Sequence, residues 1–182
     1  NGAPISYATP TGYYLKKYLD GSIDISAGSG TGGKRHSWIT FRLGEFYLNY
    51  AEAVFQYLGS AEMATDEFFL TARDAVNKIR TRTGVNMPVL PKGISGDEFW
   101  KRYKRERMVE LAFEGHRFWD IRRWKEAEKV FETPISGMNT DAKTNNDFFK
   151  RTEIQKRIFL KKMYLWPIYQ TYLDNNEFYV YF

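Results

Sequence analysis

The sequence predicts a mainly α-helical protein made of two antiparallel helix pairs, with long irregular loops and extended termini. Apolar residues recur at steps of three and four over residues 41–58 and again over residues 65–83, as on one face of an α-helix. Gly59 follows the first pattern and suits the left-handed position that ends a helix, and the second pattern stops at Gly84. A third helical pattern begins after Ser95, and a fourth follows it.

The composition is that of a globular chain with an aromatic core. Of the 182 residues, 43% are apolar and 27% are charged, and the formal net charge is +5. Phe, Tyr and Trp make up 18% of the chain, which predicts a bulky core in which some Tyr and Trp rings keep a polar edge in water. The absence of cysteine excludes disulfides, thiolate zinc sites and a cysteine nucleophile.

The two helix pairs are expected over residues 41–84 and residues 97–130. Ser95 and Glu98 have the Ser-x-x-Glu spacing of a capping box at the start of the third helix. This helix is expected either to continue through Gly115 or to kink there, before the fourth helical segment.

The remaining segments are expected to be extended or irregular. Residues 1–19 carry aromatic and apolar side chains of a strand-like segment, and residues 20–37 are a loop rich in Gly and Ser. Residues 132–150 are polar and predict a surface loop, and residues 151–182 predict an extended C-terminal segment.

Residues 28–34 match the spacing of a phosphate-binding loop, because Gly28 precedes Gly33 and Lys34 at the required distance. In such a loop the next residue supplies a hydroxyl group to Mg²⁺, and here that residue is Arg35. We therefore interpret the segment as a flexible connection, and a nucleotide-binding enzyme stays a remote alternative.

No residue is predicted to be catalytic, metal-ligating or cofactor-binding. His36 and His116 are the two histidines, and neither has a second ligand at a spacing typical of a transition-metal site. Glu106, Glu110 and Glu114 share one helix stripe, as a glycosidase pair could, but arginines lie between them. Nearby arginines lower a carboxyl pKa, whereas a general acid needs a raised one, so ion pairing is the favoured interpretation.

The chain from residue 106 to residue 124 has the highest density of charged and aromatic side chains, and we interpret it as a bracing network. Residues three or four apart are neighbours on a helix. The contacts expected on this basis are Glu106 with Arg102 and Glu110, Glu114 with Arg117, His116 with Asp120, and Arg123 over Trp119. The basic residues between positions 150 and 162 are interpreted as a solvated face, with no nucleic-acid partner.

Four ordered motifs carry a family resemblance. Residues 106–124 read ERMVELAFEGHRFWDIRRW, and residues 11–18 read TGYYLKKY. Residues 49–53 (NYAEA) with residues 75–84 (AVNKIRTRTG) form the third motif, and residues 164–170 (YLWPIYQ) form the fourth. In type and order these motifs resemble those of the SusD/RagB outer-membrane nutrient-binding proteins of Bacteroidetes.

The chain departs from the family pattern near its end. Tyr169 replaces a proline, residues 175–178 (NNEF) replace Asn-Pro-x-Leu, and Phe182 is reached without the usual Gln-Asn-Pro-Gly-Tyr tail. Because family members are much longer, we expect residues 1–182 to be a C-terminal SusD/RagB-like region, with the N-terminal part of the family fold and its lipid-anchored Cys outside this chain.

The resemblance implies a fold of tetratricopeptide-like helix pairs and a non-catalytic role in polysaccharide utilization and nutrient uptake. It implies a cell-surface lipoprotein of the outer membrane that captures oligosaccharides or other nutrients for a TonB-dependent transporter, without a cofactor. The ligand and its contact residues differ between family members, so the glycan-binding residues are unknown and none is carried over. A helix-repeat scaffold that binds only protein partners is the main alternative.

Overall fold

The computed structural model describes residues 9–23, 37–139 and 150–175 of the chain. The mainly α-helical class predicted from the sequence is confirmed, since the sheet of the described residues has only two strands. The helices are α1 Leu43–Leu58, α2 Ala72–Arg80, α3 Gly96–Glu110, α4 His116–Arg123, α5 Ala127–Glu132 and α6 Gln170–Asp174, with a 3-10 helix at Lys161–Tyr164. The strands are β1 Ile135–Met138 and β2 Arg151–Gln155.

The chain divides into two compact units. The central unit is Lys17–Arg117, and the terminal unit combines Asn1–Lys16 with Phe118–Phe182. The central unit contains α1, α2 and α3, whereas the terminal unit contains most of α4, all of α5 and the strands. The predicted second helix pair over residues 97–130 therefore has members in both units, and its pairing stays a prediction.

Small residues let α1 and α2 approach closely in the central unit. Ala51 of α1 and Ala72 and Ala75 of α2 are fully buried, with Leu48 and Val76 filling the space beside them. Burial of the larger apolar side chains stabilises the fold by about 1.5–3 kcal/mol for each residue. As predicted, α1 ends at a glycine in the left-handed region, Gly59.

Helix α2 is shorter than the sequence predicts at both ends. It ends at Arg80, before the predicted stop at Gly84, and its start is set by a cap that the apolar period does not show. The Thr71 hydroxyl accepts a hydrogen bond from the Asp74 N–H at 3.0 Å and fixes the first turn at Ala72. Phe69, which continues the apolar pattern, precedes this turn and is 86% exposed.

Helix α3 is held on α1 by buried aromatic side chains. Phe99 and Tyr103 are fully buried, and the Tyr103 hydroxyl lies 3.1 Å from the Leu48 carbonyl oxygen and 2.7 Å from Oε2 of Glu52. Ser95 caps this helix as predicted.

The reciprocal half of the capping box predicted at the start of α3 is replaced by an ion pair. The Glu98 carboxylate binds Arg102 at 2.6 Å instead of reaching back to the cap.

Of the two alternatives at Gly115, continuation or a kink, the structure has a break, and it is longer than one residue. Helix α3 ends at Glu110, Phe113 and Gly115 have positive φ angles of 65° and 82°, and α4 begins at His116. A further positive φ angle, of 56° at Lys125, separates α4 from α5, so the predicted fourth helical segment is two helices.

The terminal unit contains a strand pair that the sequence does not predict. β1 lies within residues 132–150, which were expected to be a loop, and it pairs with β2 in antiparallel register. β1 contains only four residues, one of them a glycine, so no alternating apolar pattern reveals it. Residues 140–149 lie outside the described part of the chain.

The extended termini are in part turns and short helices. Residues 9–16 form a turn and irregular chain instead of a strand, and the Thr11 carbonyl accepts a hydrogen bond from the Met138 N–H at 2.8 Å. The C-terminal segment contains β2, the 3-10 helix and α6. Its core contact is Phe159, which packs with Ile121 and Ala127.

Candidate functional site

A network of ion pairs crosses the central unit at the end of α3, and its centre is Arg42. The Arg42 guanidinium donates to both oxygens of the Glu114 carboxylate, at 2.8 and 2.9 Å, and also binds the Glu110 carboxylate. Its Nη2 lies 2.6 Å from the Glu110 carbonyl oxygen. Lys17 binds Glu114 and lies 2.9 Å from the Ala112 carbonyl oxygen. These donors satisfy the carbonyl groups at the C-terminal end of α3.

The other carboxylates of the stripe are also paired. Arg82 donates to both oxygens of Glu110, at 2.6 and 3.0 Å, and Arg80 binds Glu106. Burial by itself raises the pKa of Glu110, and the hydrogen bonds from Arg82 and Arg42 outweigh it, so this pKa lies below its ordinary value.

Glu114 and Arg42 show the same balance of burial and pairing. Burial raises the pKa of Glu114, but hydrogen bonds from Arg42 and Lys17 reverse the shift and lower it. Burial lowers the pKa of Arg42, and the hydrogen bonds from Glu114 and Glu110 raise it above its ordinary value. Carboxylates held ionised in this way are unsuited to act as general acids near neutral pH.

The interpretation of this segment as a bracing network is supported, but most of the predicted partners are wrong. Glu106 pairs with Arg80 instead of Arg102, and Glu114 pairs with Arg42 and Lys17 instead of Arg117. The Nε2 atom of His116 lies 3.7 Å from Oε2 of Glu45, and Arg123 lies over the ring of Trp124 instead of Trp119. Only the predicted Glu114–Arg117 pair is affected by the end of α3 at Glu110. Glu106 and His116 lie within regular helices and instead meet Arg80 of α2 and Glu45 of α1, which are distant in sequence.

The sequence could not identify Arg42 and Lys17 as partners, because they lie 72 and 97 residues from Glu114. Gly44 makes room for this arrangement. A Cβ atom at Gly44 would lie 2.7 Å from Nη1 of Arg42 and 3.0 Å from Oε1 of Glu110.

A groove of about 770 Å³ lies beside this network in the central unit. Its walls come from α3 and from the segment that follows α2. The apolar lining is Val85, Met87, Leu90 and Val109, and the charged lining is Arg80, Arg82, Glu98, Lys101, Arg102, Arg105, Glu106 and Glu110.

The wall that follows α2 is fixed by hydrogen bonds. The Leu90 N–H donates to Oδ1 of Asn77 at 2.7 Å, and the Met87 N–H donates to the Arg80 carbonyl at 2.8 Å. Nε of Arg80 donates to the Pro88 carbonyl at 2.7 Å. The groove is therefore formed by ordered backbone on this side.

The terminal unit presents a cluster of three exposed aromatic rings. Trp119 and Trp166 are 55% and 67% exposed, and their ring centroids lie 6.1 Å apart. Phe118 lies 5.0 Å from Trp119 and 6.2 Å from Trp166, and Arg122 covers one of its faces. The fold thus brings together residues from two motifs that are distant in sequence.

Other sequence predictions concern segments that the structure does not describe or patterns that it does not contain. The glycine-rich run at residues 28–34, with Arg35 and His36, lies outside the described residues. Within the described part of the chain, no three His, Cys, Asp or Glu side chains are grouped as metal ligands would be. Among the described helices, none combines the length and apolar character needed to cross a membrane.

The chain belongs to the SusD family, because the sequence pattern of that family matches residues 2–180. It resembles the solved structure of BT4246 with a TM-score of 0.63 and 32% identity, over 83% of this chain and 24% of that protein. It also resembles BF0978 from Bacteroides fragilis NCTC 9343, described as a SusD-like carbohydrate-binding protein, with a TM-score of 0.58 and 28% identity.

The second likeness covers 72% of this chain and 26% of BF0978, so the chain spans about a quarter of the length of both proteins. No curated protein is significantly similar to the chain. The resemblance drawn from the four sequence motifs is confirmed by the family match.

Proposed function

We propose that this chain is part of a non-catalytic cell-surface protein that binds oligosaccharides and delivers them to a TonB-dependent outer-membrane transporter. Membership of the SusD family carries the proposal, together with the likeness to BF0978, which is described as carbohydrate-binding. In the longer protein, a lipid anchor outside this chain would hold it at the outer membrane.

The aromatic cluster of Phe118, Trp119 and Trp166 is the surface that we propose for sugar contact. Flat aromatic rings stack on the apolar faces of sugars, and aromatic residues dominate the apolar lining of ligand sites. Trp119 and Trp166 each keep more than half of their surface exposed, so their rings are accessible within this chain.

A binding role without catalysis agrees with the charge network. Each of Glu106, Glu110 and Glu114 is paired with at least one cation, and hydrogen bonds from cations lower the pKa of Glu110 and Glu114. Glycoside hydrolysis requires a carboxylic acid that is still protonated at the working pH. The network supplies no such group.

We further propose that helices of the longer protein cover the outer face of α1. Leu43, Phe46 and Tyr57 are more than half exposed and lie close to one helical stripe, with steps of three and eleven residues. BT4246 and BF0978 have about three quarters of their length outside the region that resembles this chain. A segment of that length would be long enough to cover this stripe.

The test uses the whole protein that contains this chain and titrates it with a panel of oligosaccharides by calorimetry. We expect saturable binding that weakens at least tenfold in Trp119→Ala and in Trp166→Ala. Phe69→Ala, which removes another exposed ring, is the matched control and should bind as the unchanged protein does. No binding to any sugar would reject the proposal, and unchanged binding in both Trp variants would reject the assigned surface.

The remote nucleotide-binding alternative has a separate test. Lys34→Ala should leave all binding unchanged, because Arg35 stands where a phosphate-binding loop needs a hydroxyl. Saturable ATP or GTP binding that is lost in this variant would favour the enzyme.

A further inference from the structure

Two exposed cations line the groove of the central unit without a hydrogen bond or salt bridge to any residue that the structure describes, Lys101 and Arg105. The hydrogen bond from Arg102 lowers the pKa of the Glu98 carboxyl, and the charge of Lys101 helps to lower it. The other three cations of the lining are each paired with a carboxylate: Arg80 with Glu106, Arg82 with Glu110, and Arg102 with Glu98. The lining therefore carries an excess of positive charge, located at Lys101 and Arg105.

Lys101 and Arg105 are placed to act together. They are four residues apart on α3, so their Cβ atoms are neighbours at roughly 5–6 Å. Arg105 offers a planar fork of donors that matches a carboxylate or a sulfate, and Lys101 adds a compact charge beside it.

Apolar surface lies beside these cations. Val109, one further turn along α3, is 64% exposed, and Met87 on the opposite wall is 48% exposed. A ligand that fits must therefore combine anionic groups with an apolar face. A pyranose ring that carries a carboxylate or a sulfate has both properties.

We propose that this groove binds an oligosaccharide that carries carboxylate or sulfate groups, and that Lys101 and Arg105 hold those anions. This inference rests on the proposed carbohydrate-binding function and adds the chemical class of the ligand and a binding surface separate from the aromatic cluster. The walls are already ordered by the hydrogen bonds of Leu90 and Met87, so little ordering of the backbone opposes binding.

The experiment titrates the whole protein with four defined oligosaccharides at pH 7. These are tetragalacturonate, its methyl ester, a sulfated heparin-derived tetrasaccharide and neutral maltotetraose. We expect an anionic tetrasaccharide to bind at least tenfold more tightly than both neutral ones, and its affinity to fall as salt is added. The ratio between tetragalacturonate and the heparin-derived sugar shows whether carboxylate or sulfate is preferred.

The double variant Lys101→Gln with Arg105→Gln removes the excess charge. We expect it to lose at least tenfold in affinity for the preferred anionic sugar and to bind the neutral sugars as before. Lys104→Gln is the matched control, because it removes one positive charge from α3 outside the groove lining. It should leave the preference for the anionic sugar intact.

Three results would overturn the inference. Equal affinity for neutral and anionic sugars would reject the proposed preference for anionic ligands and would leave the proposed carbohydrate-binding function in place. A loss of affinity in Lys104→Gln equal to that in the double variant would show that the effect comes from the overall charge and not from the groove. Tighter binding of an octa-glutamate peptide than of any anionic sugar would assign the groove to an acidic protein segment. Absence of binding to all sugars rejects the proposed function itself, which separates the two failures.

Discussion

Arg42 and Glu114 form a two-point ion pair, with Nε 2.8 Å from Oε2 and Nη2 2.9 Å from Oε1. The pair joins the residue before α1 to the irregular chain after α3, across 72 residues of sequence. Both side chains are largely buried, with 22% and 12% of their surface exposed. Together with Lys17 and Arg82, this contact ties the end of α3 to other parts of the central unit.

Replacing Arg42 with Ala should lower the free energy of unfolding by about 2–4 kcal/mol, because it leaves two partly buried carboxylates without their shared partner. The measurement is urea unfolding of the protein. Arg102→Ala is the control, since its partner Glu98 is solvent-exposed, and it should leave stability nearly unchanged. Equal stability of the two variants would show that the Arg42 network is merely solvated.

Stability should fall at acid pH because of Glu110 and Glu114. The pKa of each is lowered below the ordinary value of 4.5 in the folded protein. The contribution of Glu110 and Glu114 to stability is then fully present above that value, where both carboxyls are ionised in the folded and in the unfolded protein. It is lost as pH falls through the pKa of the folded protein. Unfolding from pH 7 to pH 3 should show a plateau and then a decline below about 4.5.

The double variant Glu110→Gln with Glu114→Gln is the control for the pH experiment. Its amides do not titrate, so its stability should be lower at pH 7 and should decline less steeply below the ordinary carboxyl pKa. A decline as steep as that of the unchanged protein would assign the pH dependence to other groups.

The single variant Glu110→Gln separates a structural role from a catalytic one. We expect a loss of about 1–3 kcal/mol in stability, because Arg42 and Arg82 lose a charged acceptor. No glycoside hydrolysis should be found before or after the change, measured by release of reducing ends. Turnover in the unchanged protein that disappears in the variant, with the fold preserved, would contradict the non-catalytic role.

Replacing Gly137 with Ala should destabilise the terminal unit by about 1–3 kcal/mol, through overpacking. A Cβ atom there would lie 2.7 Å from the Thr11 carbonyl oxygen and 2.9 Å from the Thr11 Cα, and would also meet Ile154. Thermal unfolding measures the effect. Gly21→Ala is the control, because a Cβ atom at Gly21 meets nothing within 4 Å. Equal melting temperatures of the two variants would show that the strands and Thr11 move apart enough to accommodate the Cβ atom without loss of stability.

Alanine substitutions at Asp120 and Arg117 should have different effects on stability, although both residues belong to the same motif. Asp120 is 3% exposed and binds Arg123 at 2.9 Å, so Asp120→Ala should cost about 1–3 kcal/mol in unfolding free energy. Arg117 has no ion pair or hydrogen bond in the described part of the chain, and Arg117→Ala should cost less than about 0.5 kcal/mol. A larger loss of unfolding free energy in Arg117→Ala would show that the Arg117 side chain also stabilises the fold.

Local sequence determined α1 and the start of α3, because their signals lie within a few residues of each other. The period over residues 41–58 and the left-handed Gly59 set α1, and Ser95 set the start of α3. Four motifs in the expected order, of which residues 106–124 form the densest, identified the family, since together their residue types are far more specific than any one motif.

Tertiary structure decided which charges meet and which side chains face the groove. Arg42 and Lys17 reach Glu114 only because the chain folds back over 72 and 97 residues, and spacing along a helix carries no information about such contacts. The strand at Gly137 depends on a partner strand and on Thr11, so its own four residues give no signal. Lys101 and Arg105 are ordinary cations of a helix in the sequence, and only the packing of the segment after α2 places them on the wall of a groove.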